Sequence, residues 1–158
     1  MSRSGEALLA GALYCLLGGW VGALFLFSVV VAPTAFQVLP SPEVAGKLVG
    51  PVLRWLNYYG AAAGLALSAI AWLRGRGLLA LVLPLILSAL CLFSQLGIAA
   101  AIEEIRPLAF GQPPDAPALQ RFGQLHAASV AVFGTVGILT LLLVGVHARA
   151  DVLRQRGE

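Results

Sequence analysis

The sequence LLALVLPLILSALCLFSQLGIAAAI, residues 78–102, decides the fold. This stretch carries no charged side chain, and about 20 mostly apolar residues are enough for an α-helix to cross the hydrocarbon core of a membrane. Three further stretches are long and mostly apolar as well, at residues 7–31, 52–73 and 125–146. The sequence therefore predicts an all-α polytopic membrane protein, a four-transmembrane-helix antiparallel bundle.

The composition fits this fold. Of the 158 residues, 59% are hydrophobic and only 11% are charged, whereas a soluble domain has roughly 25% charged residues. We expect a single transmembrane domain over residues 1–158, with outer connections at 32–51 and 103–117 and a basic C-terminal tail at 147–158. The net charge of +3 does not form a basic stripe with interleaved aromatic residues, so nucleic acid is excluded as a partner.

The placement of Lys and Arg predicts the orientation. With four spans, the two termini and the turn after the second helix share one side of the membrane, which carries six basic residues against four on the other side. The six are Arg3, Arg74, Arg76, Arg149, Arg154 and Arg156; the four are Lys47, Arg54, Arg106 and Arg121. By the positive-inside rule we expect a multi-pass protein of the cell (inner or plasma) membrane with both termini cytoplasmic. The cytoplasmic arginines are predicted to be anchors at the lipid headgroups, on an otherwise plain half of the bundle.

Small residues predict where helices approach closely. Gly18 with Gly22 and Gly60 with Gly64 are GxxxG pairs, and the fourth helix has Gly134 and Gly137. Such faces allow close backbone contact, either between helices of one chain or with a protein partner or second copy in a homo-oligomer. Both alternatives are open from the sequence.

Two features in the outer connections indicate further helix. Ser41 and Pro42 have the residue types of an N-cap and a first helical position, so a short helix is expected from there to about Gly50 and Pro51. After Pro117 a helix is expected to resume and to run unbroken into the fourth span.

Polar residues collect toward the outer ends of the helices. Because polar groups are costly in lipid, they are candidates for function. The predicted outer polar cluster comprises Arg54, Asn57, Gln95, Glu103, Arg106, Arg121 and His126. It forms either a binding or relay site, or an interface anchor whose salt bridges tie loops to helix ends.

The histidines limit cofactor binding. His126 and His147 are the only two, and the 21 positions between them correspond to about 31 Å of helix, so they cannot ligate one haem iron within a chain. We predict no cofactor and no metal, with His126 the only plausible ligand. Neither a nucleotide-binding loop nor a hydrolase motif occurs, which argues against an enzyme.

Three segments carry a family resemblance: VVVAPTAF at 29–36, AGKLVG at 45–50 and RFGQLHAAS at 121–129. The chain resembles the transmembrane protein 205-like family of four-helix membrane proteins, whose bacterial members are a domain of unknown function. The eukaryotic namesake is associated with platinum-drug resistance. In that family an Ala-Pro-x-x-Phe element ends the first helix and a Phe-x-x-x-His-x-x-Ser element opens the last. The resemblance singles out Pro33, Phe36, Phe122, His126 and Ser129.

Three classes of function compete on this sequence. The first is a binding or assembly subunit of a membrane complex, suggested by the glycine-rich faces and the missing catalytic motifs. The second is a transporter or resistance factor for a metal or small solute, suggested by the outer polar cluster. The third and weakest is a membrane redox or cofactor-binding protein, for which the sequence offers only two histidines, far apart, as candidate ligands.

Overall fold

Four helices are long and apolar enough to cross a membrane in the computed structural model, which describes residues 2–156. These spans are Ser4–Val38, Pro42–Leu73, Leu78–Ala109 and Ala116–Arg154. Within the described residues every regular element is helical. The predicted all-α four-helix membrane bundle is therefore confirmed.

Two of the four spans change helix type part-way along. The first span consists of α1 (Arg3–Leu26), a π-helical segment (Phe27–Val31) and α2 (Ala32–Val38). The second is α3 (Pro42–Leu73). The third consists of α4 (Leu78–Phe93), a second π-helical segment (Ser94–Ala99) and α5 (Ala100–Ala109), and the fourth is α6 (Ala116–Arg156). The start of α1, the end of α6 and the turn at 74–77 lie at one end of the bundle, called the terminal end; the opposite end is the distal end.

The helices reach further toward the distal end than the predicted bounds, so the connections there are short. The first helix does not end at Val31 but continues through Pro33 to Val38. The backbone N–H of Ala32 donates to the carbonyl of Phe27, five residues back. This wider turn gives the proline ring room that the carbonyls of an α-helical turn would deny it.

The second span also begins earlier than the predicted residue 52. Ser41 is the N-cap, and its hydroxyl accepts a hydrogen bond from the backbone N–H of Val44 at 3.3 Å. The expected helix end near Gly50 and Pro51 is wrong, because α3 continues through Pro51 to Leu73. Pro51 is exposed, so the carbonyl it leaves without an intrahelical partner can be satisfied by solvent or headgroups.

The third and fourth spans are longer than predicted as well. The third extends to Ala109 rather than Ile102, which leaves a connection of residues 110–115. The helix expected to resume after Pro117 begins at Ala116 and runs unbroken into the fourth span. The basic tail predicted for 147–158 continues α6 as helix over its described part, to Arg156.

Two glycines bring α3 against its neighbours. A Cβ on Gly60 would lie 2.7 Å from Trp20 Cζ2 and 2.8 Å from Cys91 Sγ. A Cβ on Gly64 would lie 2.3 Å from Ser88 Oγ and 2.5 Å from the carbonyl oxygen of Pro84. The GxxxG pair of the second span therefore packs against other helices of the same chain, which is the first of the two alternatives left open by the sequence.

The other glycine faces are different. A Cβ at any of four positions would meet nothing within 4 Å; these are Gly18, Gly22, Gly134 and Gly137. Use of those faces by a protein partner or a second copy stays a prediction.

The tightest packing lies toward the terminal end. Leu13, Trp20, Leu67, Leu87 and Leu143 are fully buried and belong to one hydrophobic cluster. Each lies in the half of its span nearer the termini. The distal half is where the helices leave space.

Gly64→Ala is expected to destabilise the bundle by about 1–3 kcal/mol, the usual range for overpacking a tight contact. The methyl group would press on the Pro84 carbonyl, a backbone atom that cannot move alone. Gly134→Ala is the matched control, because its methyl group has free space and alanine is the better helix former. Thermal unfolding in mild detergent measures both; equal melting temperatures for the two variants would contradict the packing described for α3 and α4.

Candidate functional site

A cavity of about 620 Å³ lies at the distal end and is lined by residues from all four spans. Its wall is mostly apolar, with several charged and polar side chains among phenylalanines. This cavity is called the distal pocket below.

Five of the seven residues in the predicted outer polar cluster line the distal pocket. They are Arg54 from α3, Gln95 from the second π-helical segment, Glu103 and Arg106 from α5, and His126 from α6. Phe36, Phe122 and Ser129, singled out by the family resemblance, line it too. Residues that are far apart in the sequence are thus brought to one cavity.

Three predicted residues lie outside the pocket wall. Asn57 is buried about one turn nearer the core, where its Nδ2 donates to Ser94 Oγ at 3.4 Å. Arg121 is exposed and contacts Gln124 on its own helix. It precedes His126 by five residues, which turns it about 140° away around a continuous helix. Pro33 does not line the pocket, although its neighbour Ala32 does.

An ion pair between two side chains of α5 packs against two glycines of α3. Arg106 Nη2 lies 3.2 Å from Glu103 Oε1. A Cβ on Gly46 would lie 3.6 Å from Arg106 Nη1, and a Cβ on Gly50 would lie 3.8 Å from Glu103 Oε1. The AGKLVG segment thus provides a smooth helix face for the pair. The sequence signal was the spacing of four between the glycines, which places them on one side of a helix.

A row of rings orients His126. The His126 ring stacks on Phe122 with centroids 6.3 Å apart and planes 5° apart. Phe110 meets Phe122 edge-on at 4.9 Å. Aromatic contacts of this kind are weakly favourable, and they favour the position of the imidazole at the pocket wall. Phe27 and Phe133 form a second aromatic contact, at 5.3 Å, in the wall nearer the core.

Both π-helical segments contribute to the pocket. Phe27 and Ser28 come from the first, and Gln95, Leu96 and Ala99 from the second. A π-helical turn re-aims side chains relative to a regular α-helix and often occurs at functional sites. Pro33 was a sequence signal for the first segment. Residues 94–99 contain no proline, and nothing in their sequence predicts the second π-helical segment.

Comparison with known protein families finds a match to a domain whose function is unknown. The family model described as Domain of unknown function (DUF4149) matches residues 15–111. The chain belongs to the DUF4149 family. No curated protein and no solved structure matches it. Membership of the transmembrane protein 205-like family in particular stays a prediction.

The distal pocket combines DUF4149 residues with residues beyond the matched region. Arg54, Gln95, Glu103 and Arg106 lie inside residues 15–111. The α6 wall, with Phe122, His126 and Ser129, follows it in the chain. A metal site is not evident in the described part of the chain, because residues 2–156 hold no group of three or more His, Cys, Asp or Glu side chains placed for one.

The terminal end of the DUF4149 bundle holds a second polar cluster, which the sequence analysis missed. Asp151 accepts hydrogen bonds from Tyr14 Oη at 2.6 Å, from Arg74 Nη2 at 3.1 Å and from Arg76 Nη2. The side chains of Arg74 and Arg76 are only 4% and 2% exposed. The prediction that these arginines are lipid anchors on a plain half of the bundle is therefore wrong. Once Asp151 lies beside them, ion pairing inside the protein replaces contact with headgroups.

Further contacts extend this terminal network. Arg154 pairs with Glu6 and donates from Nη2 to the carbonyl of Arg74 at 2.6 Å. Arg76 Nη1 donates to the carbonyl of His147 at 3.4 Å. The network therefore joins α1, the turn at 74–77 and α6. The signal in the sequence was the spacing of four between His147 and Asp151, which places both on the helix face that turns inward.

His147 is the most enclosed member of the region. It is fully buried, and neither ring nitrogen has a hydrogen-bond partner among the described residues. Its carbonyl and the neighbouring Asp151 side chain both contact Arg76. We interpret the terminal network as structural, because its carboxylates pair with its arginines and none of its residues lines the distal pocket.

Asp151→Asn is expected to lower the free energy of unfolding by about 2–3 kcal/mol, because two buried guanidinium groups lose their counter-charge. The effect falls short of the roughly 3–5 kcal/mol for a fully buried pair, since Asp151 is partly exposed. Glu6→Gln is the matched control: its pair with Arg154 is about half exposed and should contribute at most about 1 kcal/mol. Thermal unfolding of both purified variants checks this; a larger loss for Glu6→Gln would contradict it.

Proposed function

We propose that this DUF4149 protein is a binding module of the membrane, and that its ligand occupies the distal pocket. The observation that carries the proposal is the convergence of all four spans on one cavity with seven polar or charged residues in its wall. Concave sites that are mostly apolar, with a few polar groups at fixed positions, are typical of small-molecule binding sites.

The packing supports binding over transport. Below the pocket, Trp20, Leu87 and Leu143 are fully buried parts of one hydrophobic cluster, so the interior of the bundle toward the terminal end is filled. A transporter or resistance factor would need a path through that region. Docking onto a larger membrane complex, the assembly half of the hypothesis, stays a prediction.

We also propose that the distal pocket faces outward and the terminal end faces the cytoplasm of a cell or inner membrane. Six of the ten basic residues fall at the terminal end, and the positive-inside rule places that end in the cytoplasm. The burial of Arg74 and Arg76 does not weaken this argument, because charge near a span acts during insertion, before the bundle is packed.

Reporter fusions test the orientation. Alkaline phosphatase inserted after Asp115, in the connection before α6, should be active because the enzyme folds only outside the cytoplasm. A green fluorescent protein fused to the C-terminus should fluoresce. The opposite pair of results would overturn the proposed orientation.

Filling the pocket should abolish ligand retention. Ala100 lines the pocket, and Ala100→Phe would occupy its space. Ala62 is exposed on α3 outside the pocket, so Ala62→Phe adds the same side chain elsewhere. Native mass spectrometry of protein extracted in mild detergent should show extra bound mass for the wild type and for Ala62→Phe, and none for Ala100→Phe. Identical spectra for all three proteins would contradict the proposal.

A further inference from the structure

Two arginines and one carboxylate set the charge of the distal pocket. Arg54 and Arg106 both line it, and Glu103 is the only carboxylate in its wall. Glu103 is already paired with Arg106, whose buried Nε has no partner among the described residues. Within residues 2–156, no ion pair involves Arg54. The pocket therefore has an excess of positive charge and suits an anionic group, because guanidinium binds carboxylate and phosphate in a bidentate manner.

The depth of these donors corresponds to a headgroup layer. Asp151 and Arg74 are paired, so they mark one level at the terminal end. Arg54 is twenty residues from Arg74 along the second span, about 30 Å at helical rise, and His126 is twenty-five residues from Asp151 along α6, about 37 Å. The hydrocarbon core of a membrane is about 30 Å thick. With the terminal network at one headgroup layer, Arg54 and His126 reach the opposite one.

The rim of the pocket opens through an apolar surface. Phe36, Leu96 and Val130 line the pocket and yet are 44%, 64% and 58% exposed. They come from the first, third and fourth spans. Part of the mouth therefore faces the lipid beside the bundle, and a molecule can enter sideways from the membrane as well as from solvent.

The inner wall suits an apolar chain. Phe27 and Phe133 contact each other there, and Val49 and Leu53 of α3 also line the cavity. Such a wall stabilises an apolar group by removing it from water, at roughly 25 cal/mol per Å². A free inorganic anion would leave this wall unused.

We propose that the ligand of the distal pocket is an anionic amphiphile of the surrounding membrane. Its phosphate or carboxylate head binds Arg54 and Arg106, and its apolar chain lies against Phe27, Phe36 and Phe133. This inference rests on the proposed function and adds the chemical class of the ligand to it.

The experiment measures lipid preference. Protein is equilibrated in mixed micelles with equal amounts of phosphatidylglycerol and phosphatidylcholine of identical chains, and native mass spectrometry counts the lipid retained. The wild type should retain phosphatidylglycerol preferentially. Arg54→Gln should weaken that preference about tenfold, equivalent to about 1.4 kcal/mol, and this exposed residue can be replaced without disturbing the core.

Arg121→Gln is the control for simple surface attraction. It removes the same charge from the same end of the protein, but Arg121 does not line the pocket, so the preference should change by less than about twofold, since a charge outside the pocket acts on the bound head only through salt-screened solvent. An equal loss in Arg121→Gln would overturn the proposal, because the preference would then arise from surface charge. Retention of phosphatidylglycerol by Ala100→Phe at the wild-type level would overturn it too.

A competition arm separates the two sources of an anionic head. Millimolar inorganic phosphate should not displace the lipid; displacement would mean that the charged head alone determines binding, and the proposed contribution of the apolar wall would be refuted. The same experiment distinguishes a wrong ligand class from a wrong proposed function. A neutral molecule retained by the wild type and lost in Ala100→Phe would refute the ligand class and leave binding in place, whereas absence of any pocket-dependent mass would refute both.

Discussion

The contact between α3 and α4 at Gly64 is the constraint on which the rest of the bundle depends. Without side chains at Gly60 and Gly64, the second span approaches Ser88 and Pro84 on one neighbour and Trp20 on another. The Ser88 hydroxyl uses this approach to donate to the carbonyl of Ala61 at 2.8 Å. In lipid there is little hydrophobic drive between helices, so close backbone packing and such hydrogen bonds have to supply the stability.

The distal half is organised differently, because its helices keep apart. The two π-helical segments lie at the transition between the packed half and the pocket, and they carry Phe27 and Gln95 into the wall. Between the two regions, Asn57 donates to Ser94 at the start of the second segment. A buried polar bond at this level ties α3 to the third span where the tight packing ends. The bundle thus combines a closely packed half with a half that contains a cavity.

The number of spans and most of the polar residues in the pocket wall could be predicted because they depend on local properties. Runs of apolar residues identify the spans, and charged residues near span ends identify a shared level, which brought Arg54, Glu103, Arg106 and His126 into one hypothesis. The rotation of each helix about its axis was harder. Arg121 was included with His126 because both are polar and near in sequence, yet five residues on a continuous helix place them on different sides.

The terminal network depends on contacts between residues far apart in the sequence, which local patterns do not reveal. Arg74 and Arg76 have the sequence of a membrane anchor, and only the three-dimensional position of Asp151, seventy-five residues beyond Arg76, makes them buried partners. Helix bounds failed for a related reason. Proline was taken as the end of a helix, whereas Pro51 lies inside α3 and Pro33 is accommodated by a π-helical turn. Tertiary packing supports these helices past positions where an isolated helix would stop.

The terminal network also has a consequence for how the protein is made. Its members come from the first span, the turn after the second span and the fourth span: Tyr14, Arg74 and Asp151. Spans enter the membrane one after another and associate afterwards, so α1 and the 74–77 turn are inserted well before their common carboxylate has been synthesised. During that interval the arginines of the turn lack this partner. Insertion of α6 then supplies Asp151, so closure of the terminal network is coupled to arrival of the fourth span.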